Sequence, residues 1–127
     1  MKKHILVVDD EVPIRELLAQ YLDRSGYRVT AVGTATEAEK LIAIDPPQLV
    51  ITDLQLEESD GLVMVEQLKT SLPDVPVILL TGVLFDPEVI EGALSRKVSG
   101  YLHKTTPLTQ ILSEIRRLIG DAPAGPG

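Results

Sequence analysis

Five short apolar runs of strand length alternate along this chain with stretches in which apolar residues recur every three or four positions. That alternation leaves few folds open, because it is the pattern of successive β-α-β units around a parallel sheet. The runs cover 5–8, 28–32, 49–52, 77–81 and 98–103. The first, third and fourth are almost wholly apolar, as strands covered on both faces must be, which predicts that they lie at the centre of the sheet.

The intervening stretches read as helices. After the first strand, Ile14, Leu17, Leu18, Tyr21 and Leu22 form an apolar stripe, with Pro13 near the start and Gly26 beyond the end. Thr34 and Glu37 stand at capping-box spacing ahead of Ala38, Leu41 and Ile42, and Pro46-Pro47 stops that helix. A third helix is predicted over 61–72, with Leu62, Val65 and Leu68 inward. Asp86-Pro87 opens a fourth over 86–96, which Gly92 weakens. The last covers 107–119, carries Leu108, Ile111, Leu112, Ile115, Leu118 and Ile119, sets Arg116 and Arg117 against its dipole, and ends at Gly120. Residues 121–127, Asp-Ala-Pro-Ala-Gly-Pro-Gly, cannot pack and read as a flexible tail or the start of a linker, so one domain is expected over 1–120.

With 127 residues, 44% of them hydrophobic, the chain suffices for one well-buried core. No apolar run approaches a membrane span, and Lys2-Lys3 precede too short an apolar stretch for a signal peptide. The absence of cysteine removes disulfides and thiolate metal sites, which makes the cytoplasm the default location. A net charge of −7 opposes non-specific binding of nucleic acid or anionic lipid by this segment.

Right-handed crossovers turn such a pattern into a doubly wound α/β sheet, whose ligands sit beyond the carboxyl ends of the strands. On that edge the sequence places Asp9 and Asp10 after the first strand, Asp53 after the third, Thr81 ending the fourth and Lys104 after the fifth. Three neighbouring carboxylates raise one another's pKa unless a cation compensates. Lys104 is one such cation. An all-oxygen donor set, with both histidines elsewhere, favours a hard metal ion such as Mg²⁺ as the other. Three uses are open to the cluster: a structural ion network, a Mg²⁺-dependent hydrolase acting on external substrates, or phosphoryl transfer to an aspartate. No glycine-rich loop follows the first strand and no G-x-x-x-x-G-K-[ST] occurs, which argues against nucleotide-binding alternatives.

Four segments, in order, carry a resemblance: "ILVVDDE" at 5–11, "LVITDLQLEESDGL" around Asp53, "VPVILLTG" through Thr81 and "SGYLHK" ending at Lys104. The chain resembles the receiver domains of two-component response regulators over about 3–119. The resemblance implies a flavodoxin-like three-layer sandwich with five helices and strand order 2-1-3-4-5. It implies that Asp53 accepts a phosphoryl group from the phosphohistidine of a sensor histidine kinase or histidine phosphotransfer protein. Asp10, Asp53 and the Gln55 backbone carbonyl would ligate Mg²⁺, with Asp9 acting through a metal-bound water. Thr81 would donate its hydroxyl to the phosphoryl group, Lys104 would ion-pair with it, and Tyr101 would reorient. Such a domain is a phosphorylation-controlled switch that catalyses only its own modification. Its output surface, the helix at 86–96 with the fifth strand and last helix, would serve a homodimer or a C-terminal output domain. A receiver-like module that binds partners without phosphorylation is the alternative within the family.

The sequence departs from the family pattern at several positions. Thr105 follows Lys104 where the family usually has proline after a cis peptide. A cis bond before a non-proline residue costs about 2.5–4 kcal/mol, so a trans bond and a shifted loop are expected. Glu57 replaces a common proline, Lys97 a common glycine, and Phe85 lies in a slightly lengthened segment. Glu11 reads as an acid at a helix N-terminus with a secondary influence on the metal. Arg15 and Arg24 read as solvated helix positions, and His4 and His103 as structural or surface residues.

Overall fold

Side chains alternate across the sheet along each strand, so an unbroken apolar run must be covered on two sides. The structure, a computed structural model, describes residues 2–53, 61–81 and 98–120, with the backbone alone at 61–64 and 81. Its strands are β1 (His4–Val8), β2 (Arg28–Val32), β3 (Leu49–Asp53), β4 (Val77–Thr81) and β5 (Gly100–His103). All pair in parallel, in the order β2-β1-β3-β4-β5, and the three apolar strands occupy the centre as expected. The fifth strand begins two residues later than predicted, at Gly100, after Ser99 N–H bonds the Val77 carbonyl at 2.8 Å.

The helices are α1 (Val12–Arg24), α2 (Ala35–Ile44), α3 (Gly61–Ser71) and α4 (Leu108–Ile119). The helix predicted at 86–96 and the tail at 121–127 lie outside the described residues. Two apolar layers sandwich the sheet. On one face Ile5, Val7 and Ile51 pack with Leu18 and Leu22 of α1 and Ile111 and Ile115 of α4. On the other, Leu6, Val8 and Val50 pack with Ala38 of α2 and Val65 and Leu68 of α3. The result is the expected three-layer, doubly wound sandwich. Full burial of each such side chain contributes about 1.5–3 kcal/mol, so the two layers dominate what holds the sheet flat against its helices.

The helix ends follow from local chemistry. Thr34 Oγ1 accepts from the Glu37 N–H at 3.1 Å and caps α2, which ends at Asp45 ahead of Pro46. Gly26 takes φ 99° directly after α1, a conformation that side chains resist. One helix-face assignment needs correction: Leu17 was expected inward, yet it is 53% exposed. It lies about 100° around the helix from Leu18, at the rim of a stripe that Leu18 and Leu22 already fill.

Candidate functional site

The strand register explains why distant acids meet. Val8 lies opposite Thr52, so the next residues, Asp9 and Asp53, emerge side by side at the carboxyl edge. Asp53 lies opposite Leu80, one step before Thr81, and Thr81 lies opposite His103, one step before Lys104. The Asp9 N–H extends the ladder by bonding the Val32 carbonyl at 3.1 Å, after which α1 carries the chain away.

At this edge Lys104 is the central charge. Its Nζ lies 2.7 Å from Asp53 Oδ2, 2.8 Å from Glu11 Oε2 and 3.1 Å from Asp9 Oδ2. The Lys104, Asp9 and Asp53 side chains are all buried, whereas that of Glu11 is 55% exposed. Burial works against the ammonium, but Asp53, Glu11 and Asp9 outweigh it and raise the Lys104 pKa, so it is fully charged at neutral pH. Asp9 goes the other way from an ordinary salt-bridged acid. Burial raises its pKa, and the Asp53 charge adds to the rise, against the lowering effects of the Glu11 N–H and Lys104. That Glu11 N–H donates to Asp9 Oδ1 at 2.8 Å.

Among the described residues, the Lys104 ammonium pairs with Asp9, Glu11 and Asp53, and the Arg15 guanidinium reaches only the Asp9 backbone carbonyl, so the acids, with Asp10 beside them, outnumber the cations. Asp9, Asp10 and Asp53 each offer one oxygen, and these oxygens lie within 4.8 Å of one another. An all-oxygen, anionic donor set of that size fits a hard divalent cation. Gln55, the remaining expected ligand, lies outside the described residues.

Thr81 ends β4 at the same edge, with only its backbone described. Tyr101 lies on β5 beside Leu79, is half-buried, and has its phenol pKa raised by that burial. The Lys104–Thr105 bond is trans, as no described residue has a cis peptide. The loop closes through the Thr106 N–H to the His103 carbonyl at 2.9 Å and the Thr105 N–H to His103 Nδ1 at 3.1 Å. Lysine reaches the acids in spite of the missing proline. Glu57, Phe85 and Lys97 lie outside the described residues. His4 lies at the opposite end of β1 and is a buried structural residue.

Two residues at the edge have roles the sequence did not disclose. Glu11 pairs directly with Lys104, a contact across 93 positions of chain. Arg15, expected to be solvated, turns inward and donates from Nη1 to the Asp9 carbonyl at 3.0 Å. The only sequence signal for the second was Arg15 one helical turn beyond Glu11, a spacing far too common to single out.

A model of the response regulator receiver domain matches residues 5–116. The chain belongs to the response regulator receiver family. Among curated relatives, the receiver is 35% identical over 119 residues to the response regulator MprA of Mycolicibacterium vanbaalenii, covering 94% of this chain and 51% of that protein. It is 32% identical over 114 residues to the regulatory protein VirG of Agrobacterium fabrum, covering 90% of this chain and 45% of that one. The chain thus spans about half the length of these relatives. The receiver domain of NtrX from Brucella abortus superposes with a TM-score of 0.82 at 31% identity, covering 90% of this chain and 96% of that one. In a longer NtrX structure the same match covers 93% of this chain and 27% of the other, with a TM-score of 0.84 at 30% identity. A response regulator from Burkholderia pseudomallei, solved with a phosphorylated aspartic acid, a calcium ion and citrate, matches with a TM-score of 0.80 at 29% identity, over 88% of this chain and 65% of that one.

Proposed function

We propose that this receiver is a phosphorylation-controlled switch that takes a phosphoryl group onto Asp53 from the phosphohistidine of a sensor histidine kinase or histidine phosphotransfer protein. The observation that carries the reading is the Asp53 carboxylate, buried at the strand end with an ammonium 2.7 Å away and two further aspartates alongside. In the transfer an Asp53 oxygen forms the new bond to phosphorus as the nitrogen–phosphorus bond of the donor breaks and the imidazole leaves. Asp9, Asp10 and Asp53, with the Gln55 carbonyl, would hold Mg²⁺, and Asp9 would act through its water. The ion, when bound, offsets the charge of the phosphoryl oxygens.

The protein's own groups do the rest. Lys104 already touches Asp53 and needs only a small shift to reach a phosphoryl oxygen. Charge-assisted bonds to a group of about −1.5 to −2 charge then replace its contacts with Asp9 and Glu11. The Thr81 hydroxyl supplies a further donor, and its movement toward the group opens space that Tyr101 fills, which alters the surface of β5 and its neighbours. That surface would meet a second copy or an output domain, and the setting is cytoplasmic. Catalysis in this reading is confined to the domain's own phosphorylation and dephosphorylation. A groove of about 250 Å³ between α2 and α3, lined by Ala38, Ile42 and Leu68, lies toward the other end of the sheet from the acids.

Incubation with a small phosphodonor such as acetyl phosphate and Mg²⁺ is expected to add one phosphoryl group per chain by intact-mass measurement. Asp53→Asn and a metal chelator should each abolish the addition. Equal labelling of Asp53→Asn would sink the assignment.

A further inference from the structure

We propose that Arg15 is a positioning residue for the Asp9–Asp10 turn, and that position 33 is glycine because the Arg15 guanidinium fills the space a side chain there would take. The inference rests on the reading that the acid edge binds Mg²⁺. Its basis is a pair of observations on different elements. Arg15 Nη1 donates to the Asp9 carbonyl at 3.0 Å. A Cβ placed on Gly33 would fall 2.6 Å from that same Nη1 and 3.6 Å from Arg15 Cζ.

Backbone conformation does not account for Gly33. The glycines with positive φ among the described residues are Gly26 and Gly120, so the backbone at 33 is open to any residue. What it lacks is room, and the occupant is the guanidinium. Arg15 in turn is held by α1, where its N–H bonds the Glu11 carbonyl at 3.0 Å.

The Asp9 carbonyl belongs to the peptide plane that joins Asp9 to Asp10. Because that unit is planar, fixing the direction of its oxygen fixes the torsions on either side. Asp9 is already tied through its N–H to Val32 and through its carboxylate to the Glu11 N–H and Lys104. Asp10 is less buried, and among the described contacts its side chain is held by none of these. The Arg15 bond therefore restrains the backbone on the amino side of Asp10, as the Glu11 N–H does on the other side, and so helps set where the Asp10 carboxylate stands beside Asp9 and Asp53. Groups that orient metal ligands in this way commonly change affinity by about tenfold or more when removed.

Calorimetric titration of Mg²⁺ into the wild type, Arg15→Ala, Gly33→Ala and the double variant, with urea melts in metal-free buffer, tests the idea. Arg15→Ala and Gly33→Ala should each weaken Mg²⁺ binding about tenfold. The double variant should be no weaker than Arg15→Ala alone, since both changes remove one contact. Gly33→Ala should melt close to the wild type, because the atom it displaces is the end of a flexible side chain; should Arg15→Ala fail to fold, this variant carries the test. Unchanged affinity in Gly33→Ala, tighter binding in Arg15→Ala, or losses that multiply in the double variant would overturn the proposal. Tighter binding would mark the guanidinium as a competing charge. A wild type that binds Mg²⁺ but accepts no phosphoryl group defeats the switch reading and leaves this result intact. A phosphorylated wild type with unaltered variants defeats only the role of Arg15, and a wild type that binds no Mg²⁺ overturns both.

Discussion

Lys104 meets two buried acids and one exposed acid, and the difference between them decides what each substitution should cost. Removing the ammonium takes away the cation that Asp9 and Asp53 pair with at 2% and 6% exposure, and breaking a buried pair costs about 3 kcal/mol or more. Removing Glu11, whose side chain is 55% exposed, loses an ion pair that solvent already screens, worth at most about 1 kcal/mol. Urea melts in metal-free buffer at neutral pH should therefore show Lys104→Met destabilised by about 3 kcal/mol and Glu11→Gln by less than about 1 kcal/mol. Millimolar Mg²⁺ should recover part of the Lys104→Met loss, since a bound cation stabilises the state that holds it. Equal losses in the two variants would show that burial does not control this site. The acids at the strand ends were legible because an apolar run that ends in aspartate announces a sheet edge. The Glu11 and Arg15 contacts were not, because one spans nearly the whole chain and the other joins a side chain to a backbone oxygen.

The helices were legible where a period or a cap encodes them, and less so at their rims. Thr34 and Glu37 announced the start of α2, and the stripe on α4 announced its buried face, with Ile111, Leu112 and Ile115 inside. Leu17 was misplaced because period alone cannot tell the centre of a stripe from its margin. The glycine that ends α4 was legible as a local signal, but what secures that end was not. Gly120 stops it with φ 82°, but the last carbonyls are taken by residues from the other end of the chain. Tyr27 donates its hydroxyl to the Gly120 carbonyl at 3.0 Å, and the Lys3 ammonium bonds the Ile119 carbonyl. Tyr27 is fully buried, so Tyr27→Phe keeps the packing and deletes the hydrogen bond to the Gly120 carbonyl. The expected loss is about 1 kcal/mol in stability, with faster amide exchange over the last turn of α4. Unchanged exchange there would mean that the glycine alone sets the helix end.

Across the whole molecule, the two ends of the sheet respond to pH in opposite directions. At the amino end His4 is 3% exposed, donates or accepts through Nε2 with Thr30 Oγ1 at 2.8 Å, and has its Nδ1 3.8 Å from Asp45 Oδ1. Burial and the nearby Arg28 charge hold its pKa below the ordinary 6.5, although Asp45 and the Pro46 carbonyl oppose them. The unfolded chain then binds a proton more readily than the folded one. The His4 contribution to stability is complete above pH 6.5 and is lost as pH falls through the lowered value. Asp9 has a raised pKa, so its contribution has the reverse slope, present below the ordinary carboxylate value and lost as pH rises through the raised one. Because Asp9 is common to both proteins, comparing the melting midpoints of wild type and His4→Gln between about pH 7 and 5 isolates the histidine. The wild type should lose stability on acidification and the variant should lose less; parallel curves would exclude His4 as the source. Lys3 and Tyr27 bring the end of α4 to this same amino end, so Gly120 and the start of β1 share a pole remote from the acids. Five strand residues separate the poles, about 16 Å. A spectroscopic label attached at either pole position would stand outside contact range of Asp53, yet within range of distance-sensitive probes, and could follow the acid edge without touching it.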